Sequence, residues 1–129
     1  MVQLLSPEWV ELHQRALGKL PEVPGATARL QHVVTGAPGG EVAYTLALVD
    51  GRVVDTAFGR DDAAADCTFL ETLDDAARMA AGELDLHVAF MRGKVKMTGA
   101  MGPFMAVLEC TQGEPYRAAV AEIAAATQV

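Results

Sequence analysis

Few side chains of this 129-residue chain are placed to do chemistry. Asp55, in an otherwise apolar strand-like segment, and Tyr44 are a carboxylate and a phenol that could transfer a proton on a lipid-like ketone in an apolar pocket. The alternating pattern around Asp55 favours a solvent-facing carboxylate instead. A small isomerase-like enzyme is therefore an alternative, and a perturbed carboxylate would be its signature.

The histidines and cysteines form no motif for metal binding or nucleophilic catalysis. His13, His32 and His87 have no second ligand at metal-binding spacing. Cys67 and Cys110 show neither zinc-ligand spacing nor a disulfide framework. We therefore expect no catalytic residue, no metal site and no cofactor.

The charge of the chain limits its partners. With 10 Lys and Arg against 17 Asp and Glu, the net charge is −7, which disfavours nucleic acid as a partner. Arg92, Lys94 and Lys96 form a local basic stripe that is compatible with transient membrane contact. Neither a leader nor a membrane-spanning apolar run is recognisable, so a cytoplasmic location is expected.

The first half of the chain predicts one helix followed by strands. Ser6 and Pro7 begin a helix that continues to Gly18, with an apolar face at helical spacing. Asp50-Gly51 is the preferred two-residue turn of a β-hairpin. Strands are predicted at residues 28–35, 42–49, 52–58 and 66–71. We expect these four strands to form a meander.

The second half predicts helices around one further strand. Thr72, with Asp75 three residues later, resembles a capping box, and Gly82 ends the helix that follows. A short helix at residues 86–91, a strand at 94–98 and helices from Met101 and Glu114 complete the order. The pattern predicts one α+β domain over residues 1–129, long enough to enclose a cavity.

The segment from Phe90 to Cys110 is rich in methionine. Apart from the initiator, the methionines of the chain all lie between residues 79 and 105. Methionine adapts its shape, so it suits a surface that accepts ligands of variable outline, although it also fills gaps in an ordinary core. Both interpretations stay open on chemistry alone.

Three ordered motifs resemble those of the sterol carrier protein type 2 family. They are Asp66-Cys67-Thr68-Phe69, then Gly82-Glu83-Leu84-Asp85, then the run from Ala89 to Gly102 with its Gly-Lys-x-Lys strand and Met-Gly step. The resemblance covers about residues 28–112. His32 departs from it, since an aromatic or aliphatic residue is common there.

The resemblance implies a fold and a function. The fold is a five-stranded, mainly antiparallel sheet covered on one face by helices, with an apolar tunnel. The function is non-catalytic binding or transfer of a fatty acid, fatty acyl-CoA, sterol or similar apolar ligand. An alternative function is a module that presents isoprenoid or acyl intermediates to partner enzymes. The chain is expected to be a monomer or a homodimer.

We expect ten residues to line this tunnel, from the sheet, the methionine-rich segment and the last helix. For each of them, a place in the ordinary core is the alternative. The predicted lining residues are Tyr44, Leu46, Phe90, Met97, Met101, Phe104, Met105, Leu108, Val120 and Ile123.

Overall fold

The computed structural model describes residues 1–129 as a mixed sheet with helices packed on one face. The elements in chain order are β1 (Val2–Gln3), α1 (Pro7–Leu17), β2 (Ala28–Ala37), β3 (Gly40–Val49), β4 (Arg52–Phe58), β5 (Cys67–Thr72), α2 (Leu73–Ala80), α3 (Leu86–Met91), β6 (Lys96–Gly99), α4 (Met101–Thr111), α5 (Glu114–Ala126) and β7 (Thr127–Gln128). The expected α+β class is confirmed. Strand β6, predicted at residues 94–98, begins two residues later than predicted.

The main sheet has the strand order β4-β3-β2-β5-β6. Pairings of β2 with β3, β3 with β4, and β5 with β6 are antiparallel, whereas β2 and β5 are parallel. The predicted four-strand meander is therefore wrong at its last step, although the sheet is mainly antiparallel as expected. The connector before β5 is held at β2, since Asp61 N donates to Gln31 Oε1 at 2.6 Å and Gln31 Nε2 donates to Asp62 Oδ1 at 2.8 Å.

The register of the central strands decides which side chains share the helical side of the sheet. Leu30 lies opposite Leu46, and His32 lies opposite both Tyr44 and Phe69. Directly opposed residues project to the same face. At the β3–β4 hairpin, Asp50 and Gly51 both have positive φ, as the predicted two-residue turn requires.

The helix starts follow the capping signals of the sequence. Ser6 Oγ accepts a hydrogen bond from Trp9 N at 3.2 Å, and Thr72 Oγ1 accepts one from Asp75 N at 3.2 Å. Each bond satisfies a backbone donor that the first helical turn leaves unpaired. The predicted starts of α1 and α2 are thereby confirmed.

The two ends of the chain are joined beside α1, which the sequence patterns did not predict. Strands β1 and β7 pair in parallel, with Val2 opposite Thr127. Trp9 Nε1 donates to Thr127 Oγ1 at 3.1 Å, and Thr127 Oγ1 donates to Ile123 O at 2.6 Å. These bonds fix α1 against the end of α5. No helix has the length and hydropathy that a membrane crossing requires.

Candidate functional site

A cavity of about 710 Å³ lies between the main sheet and the helices, and each of α1 to α5 contributes lining residues. Of its 31 lining residues, 20 are hydrophobic, so most of the surface that a ligand would meet is apolar. The volume falls within the range of about 300–1,000 Å³ that is usual for small-molecule sites. The cavity is therefore the candidate functional site.

The apolar wall is built from period-two strands and one face of each covering helix. Leu30, Leu46 and Leu48 reach it from β2 and β3 because alternate residues of a strand project to one face. Trp9 and Leu17 reach it from α1, two turns apart on one helical face. Rigid elements thus position the whole apolar lining.

Four polar residues form a cluster on the same wall, which we call the polar cluster: His13, His32, Tyr44 and Glu71. His32 Nδ1 lies 2.9 Å from Glu71 Oε1, and the Glu71 side chain is only 1% exposed. The His32 ring stacks on Tyr44 with centroids 4.9 Å apart and planes 7° from parallel. His13 Nδ1 lies 2.9 Å from Trp9 O.

Burial keeps His13 and the phenols of the cavity in their uncharged forms near neutral pH. Desolvation lowers the pKa of His13 from 6.5 to about 4. Desolvation, and then the charge of Glu71, raises the pKa of Tyr44 well above its usual value of 10. Desolvation likewise raises the pKa of Tyr116, another lining residue, to about 12. These three side chains thus bring no charge to the cavity near neutral pH.

Charged side chains that line the cavity and are open to solvent mark its mouth. Arg92 and Arg117 are exposed cations, and Glu83 and Asp85 are exposed anions. The half-buried Arg78 places Nη1 3.8 Å from Asp75 Oδ1. The mouth therefore carries both signs of charge.

The structure brings four of the ten predicted lining residues to the cavity. Tyr44 and Leu46 reach it from β3, and Val120 and Ile123 reach it from α5. No ligand contact of these residues has been tested, so their role in binding stays a prediction. Met79 of α2 lies on the wall too, outside the predicted set.

The other six predicted residues lie away from the cavity wall. Phe104 and Leu108 are buried in the core, and Phe90 packs on Phe104 with ring centroids 4.8 Å apart. Met97 is half-buried opposite Phe69. Met101 and Met105 are each 54% exposed.

The geometry of α4 explains why its residues separate. The sequence pattern treated Met101, Phe104, Met105 and Leu108 as one face. At 100° per residue the four fall within one arc of about 100°, in the order Phe104, Leu108, Met101 and Met105. Only the half of this arc that carries Phe104 and Leu108 is buried. We call the exposed residues Met91, Met101 and Met105 the methionine face; Met91 is 71% exposed.

Sequence reasoning missed the polar cluster, although one signal for it existed. The predicted strand over residues 66–71 places Cys67 and Phe69 on one side, and by the same alternation Glu71 joins them. A carboxylate on the apolar side of a strand needs a partner, and His32 is that partner. The cross-strand register that brings them together is not local in sequence.

The proposed proton-transfer pair is not assembled. Asp55 is exposed and lies opposite Ala47 on the outer face of the sheet. Tyr44 projects to the inner face, so the two side chains lie on opposite sides. Nor does the chain place three His, Cys, Asp or Glu side chains where they could hold a metal ion.

Comparison with known proteins gives one family match and several similar folds. The model of the SCP-2 sterol transfer family matches residues 11–110. No curated protein sequence is significantly similar to the chain.

Three solved structures illustrate the similarity of fold. A conserved hypothetical protein of Thermus thermophilus, described as possibly a sterol carrier protein, has a TM-score of 0.75 at 20% identity, over 96% of this chain and 92% of that one. A sterol carrier protein 2 has a TM-score of 0.66 at 22% identity, over 95% of each chain. A palmitated SCP2L2 from Aedes aegypti has a TM-score of 0.56 at 19% identity, over 80% of this chain and 93% of that one.

Proposed function

This chain belongs to the SCP-2 sterol transfer family, and from that premise we propose that it is a non-catalytic carrier that holds one apolar lipid in the cavity. The observation that carries the proposal is the mostly hydrophobic cavity of about 710 Å³. Burial gains roughly 0.8 kcal/mol per methylene, on the order of 10 kcal/mol for a long alkyl chain before ordering costs. A fatty acid, fatty acyl-CoA or sterol is the expected class of ligand.

The arrangement of polar side chains supports a carrier over an enzyme that transfers protons. Binding by burial of alkyl surface needs no reactive residue, and the Asp55–Tyr44 pair considered for proton transfer lies on opposite faces of the sheet. The relative from Aedes aegypti with a palmitate is consistent with an alkyl ligand in this fold.

Native mass spectrometry with lipid extraction of the purified chain tests the proposal directly. We expect a co-purified lipid, or stoichiometric uptake of an added fluorescent fatty acid. Val120→Asp places an unpaired carboxylate against the bound alkyl chain, at a cost of several kcal/mol, so affinity should fall by at least about 100-fold.

The matched control lies two residues away on the same helix. Ala118 is exposed and does not line the cavity, so Ala118→Asp should bind the probe within about twofold of the natural chain. Circular dichroism must show both variants folded. Equal affinities for Val120→Asp and Ala118→Asp would place the ligand outside this cavity.

Exchange of the lipid with a membrane would use the methionine face. Two exposed cations, Arg92 and Lys94, lie within three residues of the exposed Met91, in a chain whose net charge is −7. Lys96 lies opposite Leu70 on the outer face of the edge strand, away from the helices. The contact between Phe90 and Phe104 joins α3 to α4, so these segments present one surface. Flexible apolar side chains with a rim of cations suit an anionic bilayer.

A transfer assay between vesicles distinguishes this surface from the rest of the molecule. Transfer to anionic phosphatidylglycerol vesicles should slow several-fold between about 50 mM and about 200 mM salt, because exposed charges are screened. Arg92→Gln with Lys94→Gln should remove most of that dependence. Lys19→Gln, at an exposed cation paired with Glu122, should not. Transfer that does not change with salt, or in the variant with both Arg92→Gln and Lys94→Gln, would refute membrane contact at this face.

A further inference from the structure

One oxygen of the polar cluster has no hydrogen-bond donor within the protein. Glu71 Oε1 is held by His32 Nδ1 at 2.9 Å, while Oε2 is buried and unpartnered. Such groups are rare in folded proteins, and leaving one unpaired costs about 1–3 kcal/mol, or more for a charged group. Glu71 lies on the wall of the cavity, so a bound ligand is the natural source of the missing donor.

No hydrogen bond from the groups around Glu71 reaches its Oε2. His13 Nδ1 faces the carbonyl of Trp9, which can only accept, so this nitrogen carries the proton and Nε2 is an acceptor. Because its pKa is about 4, His13 also brings no positive charge near neutral pH. The half-buried Arg78 is shared with Asp75, and Arg92 and Arg117 lie at the exposed mouth.

A head group that satisfies Glu71 Oε2 supplies a proton donor and carries no negative charge. A carboxylate beside Glu71 would place two like charges in a poorly solvated site, which is unfavourable. An ether or an ester lacks the donor. A hydroxyl group donates to Glu71 and can also accept from the phenol of Tyr44, whose ring stacks on His32.

We propose that Glu71 Oε2 accepts a hydrogen bond from a hydroxyl group of the bound lipid, so that this cavity selects an alcohol over the fatty acid of the same chain length. The inference rests on the proposed function, since it assumes that the cavity holds a lipid. It adds a polar recognition site at a stated atom. His32 acts as a positioning residue, because it holds the carboxylate through Oε1.

Three ligands with one chain length test the inference on the natural chain: 1-dodecanol, its methyl ether and dodecanoate at about pH 8, where the free acid is ionised. Trp9, the single tryptophan, lines the cavity, so its fluorescence reports occupancy. The alcohol should bind at least about tenfold more tightly than the ether, as one hydrogen bond to a charged acceptor implies, and more tightly still than the acid.

The substitution Glu71→Gln locates the effect. It keeps the shape of the side chain but removes the charge, so dodecanoate should bind more tightly and the alcohol about tenfold more weakly. Glu109→Gln, at an exposed residue of α4, is the matched control and should leave all three affinities unchanged. If Glu71→Gln does not fold, the comparison of alcohol with ether in the natural chain still decides.

The outcomes separate this inference from the proposed function. Binding of all three ligands with similar affinity would overturn the role of Glu71 while supporting an apolar carrier. A preference for the acid would overturn it as well. Binding of none of them, with Trp9 fluorescence unchanged and no lipid retained, would instead refute the proposed function.

Discussion

The cavity wall and the methionine face differ in the stiffness of most of their apolar side chains, although Met79 of α2 also lies on the wall. Three leucines of β2 and β3, with Val53 of β4 and residues of the five helices, surround the cavity, and the polar cluster lies among them. The flexible methionines of α3 and α4 project outward, with Met91 71% exposed. Three of the five methionines beyond Met1 thus lie on the surface of the protein.

The difference teaches which region can discriminate between ligands. A wall of side chains fixed on paired strands holds polar atoms such as Glu71 Oε1 and His32 Nδ1 at a set distance of 2.9 Å. Selection by hydrogen bonding requires such fixed geometry, since a mismatched head group leaves a buried group unpaired. Methionine adapts its shape instead, which suits contact with a variable surface.

The largest expected effect is on the free energy of unfolding, and it distinguishes a buried from an exposed residue of α4. Phe104 is fully buried and lies 5.5 Å from Phe69 and 4.8 Å from Phe90 between ring centroids. Phe104→Ala should lower the free energy of unfolding by about 3–5 kcal/mol, because it leaves a cavity in the core. Met105→Ala should change it by no more than about 0.5 kcal/mol. Urea unfolding followed by circular dichroism measures both.

Equal losses in the two variants would contradict the division between core and methionine face. A useful third variant is Met101→Ala, one turn before Met105 and 54% exposed like it. It should match Met105→Ala within error. Neither methionine variant should alter the affinity for a lipid, since neither residue lines the cavity.

The second largest effect is a loss of stability at low pH that comes from His13 on the cavity wall. His13 has a pKa of about 4 in the folded chain, against 6.5 without burial. As the pH falls below about 6.5, the unfolded chain takes up this proton before the folded chain does, so stability is lost until about pH 4. The loss should be about 3 kcal/mol.

His13→Gln isolates this contribution from that of the carboxylates. Urea unfolding at about pH 7.5 and about pH 4 should show a loss smaller by about 3 kcal/mol in the variant than in the natural chain. His87→Gln, at a half-buried residue of α3 outside the cavity, is the control. An identical pH dependence in all three chains would show that His13 is hydrated in solution.

Much of the fold could be predicted because its signals are local. The Asp50-Gly51 turn, the caps at Ser6 and Thr72, and the alternation in β5 each depend on a few neighbouring residues. The pairing of β5 with β2 could not, because it depends on where the long connector runs. That path is fixed by Gln31, which is distant in sequence from the connector.

The site was predicted less completely, for related reasons. Tyr44 and Leu46 follow from strand alternation, and Val120 and Ile123 follow from helical spacing. The outward turn of Met105 depends on which side of α4 the sheet covers, and periodicity alone cannot decide that for a helix that is apolar on several sides. The bond between His32 and Glu71 likewise depends on register between strands.

The smallest expected effect on the free energy of unfolding comes from the N-caps of α1, beside the cavity, and α4, which carries part of the methionine face. Ser6 caps α1 over the cavity through Trp9 N at 3.2 Å, so Ser6→Ala should cost about 1 kcal/mol. Ala100 gives α4 no side-chain cap, yet Ala100→Ser should gain less than about 0.5 kcal/mol. Pro103, the third residue of α4, has no N–H, so a new hydroxyl could reach only Gly102 N.

Urea unfolding of the two variants measures both changes against the natural chain. A gain near 1 kcal/mol for Ala100→Ser would mean that the missing cap limits α4, and that the methionine face is held less firmly than its packing indicates. A negligible gain, together with the full loss for Ser6→Ala, would instead mean that α4 is fixed by Phe104 beneath it. The exposed methionines would then owe their adaptability to their own side chains, on a helix as firmly held as the cavity wall.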